Sequence, residues 1–242
     1  MVPTLDILLQ IDGTSESIED AIGVVQTVIE MAGTIAFAIS AALLAGRKRM
    51  NVVGVVVFAV LVAVGGGTTR DILLGDLPVW WVDDPASLVV AAVAATLTIP
   101  LFRLGTISVM QRYGLVRLFD SAGLALFTVA GTNIALDAGA GAASAVVIGV
   151  ISGVGGGIIR DSIAEQVPEV LASGHFYASA AVVGSALNIA LLETSIRPVL
   201  ASTIAVAFIF IVRILSIHYN WGAPEFKVGK DGRDAGPAGD SA

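Results

Sequence analysis

The sequence GGGTTRD at residues 65–71 is repeated as GGGIIRD at residues 155–161, 90 residues further along the chain. Each copy comes at the end of a long apolar segment. A glycine weakens a helix by about 1 kcal/mol, and an Arg or Asp near the centre of a bilayer costs at least about 2.5–3.5 kcal/mol. Because two segments carry these costly residues at matching positions, we expect them to form a site between two related halves of a membrane protein.

The composition is that of an integral membrane protein. Of the 242 residues, 56% are hydrophobic and 14% are charged, and the mean hydropathy is +0.89, whereas an ordinary soluble domain has about 25% charged residues. The net charge of −7 provides no basic surface for nucleic acid. Cysteine is absent, which excludes thiol catalysis and thiolate metal sites. We therefore expect no nucleic-acid-binding protein. Because His175 and His218 lie at predicted helix ends and no intramembrane pairing of serine with histidine is suggested, we also expect no enzyme.

Seven apolar segments are long enough to form a membrane-spanning helix, which needs about 17–25 residues. They are residues 24–45, 52–74, 86–102, 118–136, 138–163, 176–192 and 198–217. The second and the fifth of these segments carry the glycine motifs. The sequence therefore predicts an all-α integral membrane fold with seven transmembrane helices.

The repeat extends beyond the motif and predicts two inverted halves. When residues 30–78 are placed over residues 120–168 without gaps, the triplets, the Arg-Asp pairs and a proline near the end coincide. Residues 47–49 after the first segment are Arg-Lys-Arg, whereas the aligned residues 137–139 are Asp-Ala-Gly. Because basic loops stay in the cytoplasm, the two three-helix halves enter the membrane from opposite sides, as in an inverted repeat.

This topology divides the chain and orients it in the plasma membrane. It places the N-terminus outside the cell and the C-terminus in the cytoplasm. The predicted parts are an acidic extracytoplasmic N-terminal segment (1–21), a first three-helix repeat (22–106), a second three-helix repeat (107–195), a seventh helix (196–220) and a disordered cytoplasmic tail (221–242).

The two glycine triplets allow two interpretations. Glycine lets a helix unwind inside the membrane, and the freed carbonyls can replace the hydration shell of a cation. Small residues also permit close helix packing. Three consecutive glycines followed by charge, in both copies, favour the helix break. The predicted ion pathway comprises Gly65, Gly66, Gly67, Thr68, Thr69, Gly155, Gly156 and Gly157, in which the threonine hydroxyls are additional ligands.

The Arg-Asp pairs are expected to pair between the two halves. Neighbouring residues point apart on a helix, so Arg70 is predicted to meet Asp161 and Arg160 to meet Asp71. Such pairs either clamp the two helices together or supply a charge that gates permeation. The sequence leaves both roles open.

Two further acids, Glu30 and Asp120, align between the repeats. Acids inside a membrane usually face the interior of the bundle and mark ion paths, which makes both residues candidate pore acids. Both are also near enough to a predicted membrane boundary to be simply solvated there. The sequence leaves this alternative open.

The duplicated Gly-Gly-Gly-x-x-Arg-Asp motif, the helix count and the basic first loop resemble the trimeric intracellular cation channel (TRIC) family. The resemblance is to its prokaryotic branch, whose repeats are known as glycine transporter domains, and it covers about residues 22–218. It implies a homotrimer in a prokaryotic plasma membrane, with a pore in each subunit lined by the second and fifth spanning helices. It also implies passive permeation of K⁺ or Na⁺, with no cofactor and no metal beyond transient K⁺, and with membrane lipids as partners and candidate ligands.

A secondary transporter of a small solute such as glycine is the alternative function. Inverted repeats that meet at mid-membrane suit transporters as well as channels. A transporter would need an unpaired carboxylate there to carry a proton or Na⁺. Asp71 and Asp161 qualify only if the neighbouring arginines do not hold them.

Overall fold

The computed structural model describes residues 4–103, 114–172 and 176–221, in which all regular secondary structure is helical. Eight helices lie in these ranges. They are α1 (Thr4–Arg47), α2 (Val52–Leu74), α3 (Trp80–Asp83), α4 (Ala86–Arg103), α5 (Leu115–Asp137), α6 (Ala142–Ile163), α7 (Ala178–Leu192) and α8 (Pro198–Tyr219). The all-α fold is as the sequence predicts.

Within the described residues, five helical spans are long and apolar enough to cross a membrane. They are Gly23–Arg47, Val52–Leu74, Leu115–Asp137, Ala142–Ile163 and Pro198–Tyr219. The other two predicted segments are helical but shorter, at Ala86–Pro100 and Ala178–Leu192. An all-helical membrane protein is therefore confirmed, and a count of seven spanning helices stays a prediction.

The predicted end segments lie partly outside the described residues. Within the predicted N-terminal segment, the backbone is helical from Thr4, where α1 begins. The tail from residue 222 onward lies outside the described residues, as do residues 104–113, which contain the predicted boundary between the repeats.

Local sequence fixes the ends of α2. The side chain of Asn51 accepts a hydrogen bond from the amide of Gly54 at 2.7 Å, which satisfies one of the free amides at the start of a helix. Gly75 ends the helix in the left-handed conformation, with φ of 71°, which glycine adopts without a steric penalty. The Arg-Asp pair of the first motif therefore lies in the last turns of α2, and that of the second motif lies in the last turns of α6.

The helices pack as two corresponding pairs. α1 packs against α5, and α2 packs against α6. α4 covers α1 and α2, whereas α7 covers α6 and α5, and α8 packs on α5 and α7. At the centre, Phe37 of α1 stacks on Phe127 of α5 with 5.6 Å between ring centroids, and both rings are buried. These two phenylalanines occupy aligned positions of the repeat, so corresponding helices meet at corresponding residues.

The prediction that the glycine triplets break their helices is wrong. α2 and α6 continue as α-helices through both triplets. A side chain at Gly66 would overlap the carbonyl oxygen of Ser152, and one at Gly155 would come within 3.0 Å of the Cα atom of Gly66. The triplets therefore let the two helices cross backbone to backbone, which is the packing interpretation. The continuous helices also keep their backbone hydrogen bonds, whose loss in a bilayer would cost several kcal/mol each.

Candidate functional site

The first charge cluster lies at the end of α2. Arg70 donates through Nε to Asp71 Oδ1 at 2.7 Å and through Nη1 to Glu30 Oε1 on α1. The second oxygen of Asp71 accepts the backbone N–H of Trp80 at 2.9 Å. Arg70 and Asp71 are buried, and Glu30 is 13% exposed.

The second charge cluster has the same arrangement at the end of α6. Arg160 donates through Nε to Asp161 Oδ1 at 2.8 Å and through Nη1 to Asp120 Oδ1 on α5 at 2.7 Å. The second oxygen of Asp161 accepts the N–H of Glu169 at 2.9 Å. Nη1 of Arg160 also donates to the hydroxyl of Ser40 on α1 at 2.9 Å, so this cluster joins both halves of the chain.

These contacts correct the predicted pairing of the arginines. Arg70 pairs with its own neighbour, Asp71, and Arg160 pairs with its own neighbour, Asp161, rather than across the two halves. Neighbouring side chains on a helix point about 100° apart. The arginine side chain is long enough to bend back, so that its Nε reaches the carboxylate of the next residue. The far end of each guanidinium then reaches the acid at position 30 or 120.

The two aligned acids are held inside the clusters and are not simply solvated. Asp120 has no exposed surface, and Glu30 has little. Each is bound by the arginine that lies 40 residues further along the chain. With its acids ionised, each cluster contains two carboxylates for one guanidinium and carries one net negative charge.

The hydroxyls of the two threonines of the first motif are hydrogen-bonded within the protein, and their role as ion ligands stays a prediction. Thr68 and Thr69 donate back to the carbonyls of Val64 and Gly65 at 2.8 and 2.9 Å, a local bond common for threonine in helices. Thr68 also accepts a hydrogen bond from the indole N–H of Trp81 at 2.8 Å. This hydrogen bond holds the segment that contains Trp81, after α2, against the end of α2.

An aromatic ring covers the third glycine of each triplet. A side chain at Gly67 would lie 2.6 Å from the indole nitrogen of Trp80, and one at Gly157 would lie 2.5 Å from the hydroxyl of Tyr177. Trp80 also packs edge-on against Phe127, with 6.5 Å between centroids. The last glycine of each motif therefore makes room for a ring from the chain that follows the helix.

The end of the site at α6 holds two residues that the sequence analysis missed, Tyr177 and Arg213. The Tyr177 hydroxyl donates to Asp120 Oδ1 at 3.1 Å. Arg213, on α8, stacks on the Tyr177 ring at 4.3 Å and donates to Glu169 Oε1 at 3.2 Å. The signal for Arg213 was available, because a charge inside an apolar segment usually marks a functional interior. Tyr177 has no signal in the sequence, since it lies outside the motif.

A half-open cavity of about 470 Å³ reaches the second charge cluster. Arg47 from the end of α1, Arg117 from the start of α5, and Arg160, Asp161 and Glu169 all line it. The basic loop after α1 and the C-terminal end of α6 therefore lie on the same side of the molecule. The described residues contain no group of three or more His, Asp or Glu side chains arranged to hold a metal ion.

Comparison with known proteins identifies the family. The family model described as "Glycine transporter" matches twice, at residues 27–103 and 117–193. The inner membrane protein YadS of Escherichia coli K12, of the group UPF0126, is 40% identical over 85% of this chain and 98% of its own length. A UPF0126 membrane protein of Vibrio cholerae is 37% identical over 84% of this chain and 83% of its own length.

Solved structures agree with this assignment. The TRIC orthologue from Rhodobacter sphaeroides superposes with a TM-score of 0.74 at 32% identity, over 81% of this chain and 99% of that chain. A second structure, described as a basis for conductance through TRIC cation channels, gives a TM-score of 0.73 at 30% identity, over 84% of this chain and 98% of that chain. The chain belongs to the prokaryotic branch of the TRIC family. Its relatives are named as channels and membrane proteins, which agrees with the expectation that it is not an enzyme.

Family membership also explains the double match. The two matched ranges of this TRIC-family chain begin just before the two acids at 30 and 120, and each contains one complete glycine motif. The unit that the family model describes therefore supplies the two acids and the arginine at the centre of one charge cluster. Two copies in one chain build the pair.

Proposed function

We propose that this protein is a passive channel for monovalent cations, chiefly K⁺, with one ion path in each subunit. The path runs beside the crossing of α2 and α6 and joins the two charge clusters. The resemblance to structures named as TRIC cation channels supports this proposal. The two clusters, which occupy matching places on the two crossing helices, supply the chemistry.

The charge balance of the clusters carries the proposal. Each motif arginine is shared by two carboxylates, and at the first cluster this leaves one negative charge to attract cations. In a site of low dielectric such a charge acts strongly over several ångströms, and a ring or pair of acids is a common basis for cation selectivity. The excess negative charge is clearest at the first cluster, because at the second cluster Arg213 and Arg117 both pair with Glu169 and Arg213 also lies 4.0 Å from Asp120.

We further propose that the two halves are inverted and that the end at α6 faces the cytoplasm. The cavity that contains Arg160 is also lined by Arg47, only a few residues before α2 begins. The C-terminal end of α6 thus lies beside the N-terminal end of α2. Because basic loops stay in the cytoplasm, the second charge cluster is the inner one and the first is the outer one.

A glycine transporter is the second candidate, and the description of the matching family model favours it. Coupled transport needs a carboxylate that can bind and release an ion. All four acids of the clusters are held by an arginine within hydrogen-bond distance, which disfavours the release step. We therefore place the channel first.

The proposed assembly is a homotrimer in the plasma membrane of a prokaryote, surrounded by lipid. The solved relative from Rhodobacter sphaeroides is described as trimeric. In such an assembly each subunit contains both clusters, so that no partner residue is needed to complete the ion path.

The experiment is single-channel recording of purified protein in a planar bilayer under a KCl gradient. The unchanged protein should show discrete current steps whose reversal potential lies near the equilibrium potential of K⁺ and away from that of Cl⁻. Asp71→Asn should lower the K⁺/Cl⁻ permeability ratio by about ten-fold, because it removes the net charge of one buried cluster.

Asp76→Asn is the matched control, since Asp76 is exposed in the turn after α2 and water and salt screen its charge. It should leave the permeability ratio close to that of the parent. A silent bilayer together with saturable glycine uptake into liposomes would replace the channel with the transporter.

A further inference from the structure

Arg213 connects the last helix to the second charge cluster. Its Nη1 donates to the carbonyl of Phe176 at 3.0 Å, and its Nη2 donates to Glu169 Oε1 at 3.2 Å. The guanidinium lies 4.3 Å from the centre of the Tyr177 ring, within the range of a cation–π contact. The side chain has no exposed surface. An arginine buried in an apolar helix is costly, and neither glycine motif gives it a role.

Tyr177 is the side chain that Arg213 orients towards the cluster. Its ring is buried, and its hydroxyl donates to Asp120 Oδ1. The hydroxyl also fills the space beside Gly157. Tyr177 thus covers both Asp120 and the third glycine of the triplet in α6.

Arg213 acts on Asp120 through Tyr177 more than by direct pairing. Its Nη2 is 4.0 Å from Asp120 Oδ2. Within the described residues, neither Asp120 Oδ2 nor Arg213 Nε forms a hydrogen bond. The direct ion pair is therefore incomplete, whereas the ring contact and the tyrosine hydrogen bond are both made.

The first charge cluster is covered differently. Trp80 covers Gly67 there, and its chain is held by Asp71 from the motif itself. The only arginine of α8 lies at the other end of the site. The helix that is not part of either repeat therefore acts on one cluster and not on both.

We propose that Arg213 is a positioning residue that holds Tyr177 on Asp120 and so closes the inner end of the ion path. Opening requires the Tyr177 hydroxyl to leave Asp120 and the ring to leave Gly157. α8 then controls opening, while the repeats supply the path. This proposal rests on the proposed channel function.

A reporter cysteine tests the closure without requiring a current. The chain has no cysteine, so Ser40→Cys provides a single thiol. Ser40 is buried against Arg160, so the proposal predicts that a small cationic methanethiosulfonate reagent reaches a cysteine there only when the inner end opens. In liposomes, Arg213→Met and Tyr177→Phe should each raise the modification rate by about five-fold, the effect of losing one such contact.

Two comparisons separate positioning from a general loss of structure. Arg197→Met makes the same substitution at an exposed arginine before α8 and should leave the rate unchanged. In a Tyr177→Ala background, Arg213→Met should add nothing, because the residue through which it acts is gone. Independent effects in that background, or unchanged rates in both single variants, would overturn the proposal.

The design keeps this proposal separate from the channel itself. If Arg213→Met does not fold, Arg213→Lys, which keeps the charge but loses the flat guanidinium, should give a smaller increase in rate. If the parent protein conducts but the modification rate is unchanged by substitution of Arg213 or Tyr177, the positioning role alone is refuted. If the parent protein does not conduct but the modification rate still rises in the Arg213 and Tyr177 variants, the channel function is refuted and the positioning role of Arg213 is retained.

Discussion

The two aligned acids, Glu30 and Asp120, differ in their burial and in the number of side chains that they contact. Asp120 is fully buried and contacts Arg160 and Tyr177, with Arg213 at 4.0 Å. Glu30 is partly exposed, and its recorded partner is Arg70. Removing one partner of a buried ion pair costs about 3–5 kcal/mol, whereas an exposed pair contributes about 0–1 kcal/mol.

We therefore expect Asp120→Asn to destabilise the protein by about 3 kcal/mol, and Glu30→Gln, which lies nearer the surface and loses fewer contacts, by about 2 kcal/mol. Thermal unfolding in detergent, followed by the loss of the native peak in size-exclusion chromatography, measures the difference. Equal losses of stability in the two variants would show that the deeper burial of Asp120 has no energetic consequence.

The sequence identified the charged residues of both clusters but not all of their partners. The Arg-Asp pairs were identified because they occur twice and because charge inside a bilayer is costly. The two acids were identified because they align between the repeats. The pairing was wrong because a rule about the direction of neighbouring side chains ignores the length of arginine. Tyr177 and Arg213 were missed because they lie outside the aligned repeat, and only the three-dimensional fold brings them to Asp120.

At the scale of helices, the crossing of α2 and α6 depends on the absence of side chains. A methyl group at Gly66 would overlap a backbone carbonyl of α6, which cannot move aside as a side chain can. Gly23 is also helical, in α1, but a methyl group there would meet nothing within 4 Å. The same substitution at these two positions therefore separates packing from helix propensity.

Gly66→Ala should lower the Tm by about 6–12 °C, which corresponds to about 3 kcal/mol of overpacking. Gly23→Ala should be neutral or stabilising by up to about 1 kcal/mol, because alanine favours the helix. Both are measured by thermal unfolding in the same detergent. A Gly66→Ala protein as stable as the Gly23→Ala protein would mean that the helices do not cross at the triplets.

Hydropathy predicted where the helices lie, but it could not predict how they meet. All seven predicted segments are helical in the described residues, because a long apolar run in a membrane has few alternatives. Whether a glycine triplet unwinds a helix or lets another helix approach depends on the partner surface. That surface comes from a segment 90 residues away and is not encoded next to the triplet.

At the scale of the whole molecule, the duplication explains why the clusters match and why their ends differ. Each repeat supplies one acid, one arginine and one aspartate, so the charge of each cluster is fixed by the repeat. α8 follows the second repeat only and packs on α5 and α7. The residues that the repeats supply are thus matched in charge, whereas the residues around them differ, because Arg213 of α8 lies only at the second cluster. An alignment of the repeats alone could not reveal this difference.

The proposed inversion makes a direct prediction about two aligned positions. Lys48 follows α1 and Ala138 follows α5, and both residues are exposed. If the halves are inverted, these positions lie on opposite sides of the membrane. In intact cells, a membrane-impermeant maleimide should label Ala138→Cys and not Lys48→Cys, and in inside-out vesicles the pattern should reverse. The absence of native cysteine makes the unsubstituted chain the blank, and labelling of both cysteines from the same side would show that the two repeats enter the membrane in the same direction.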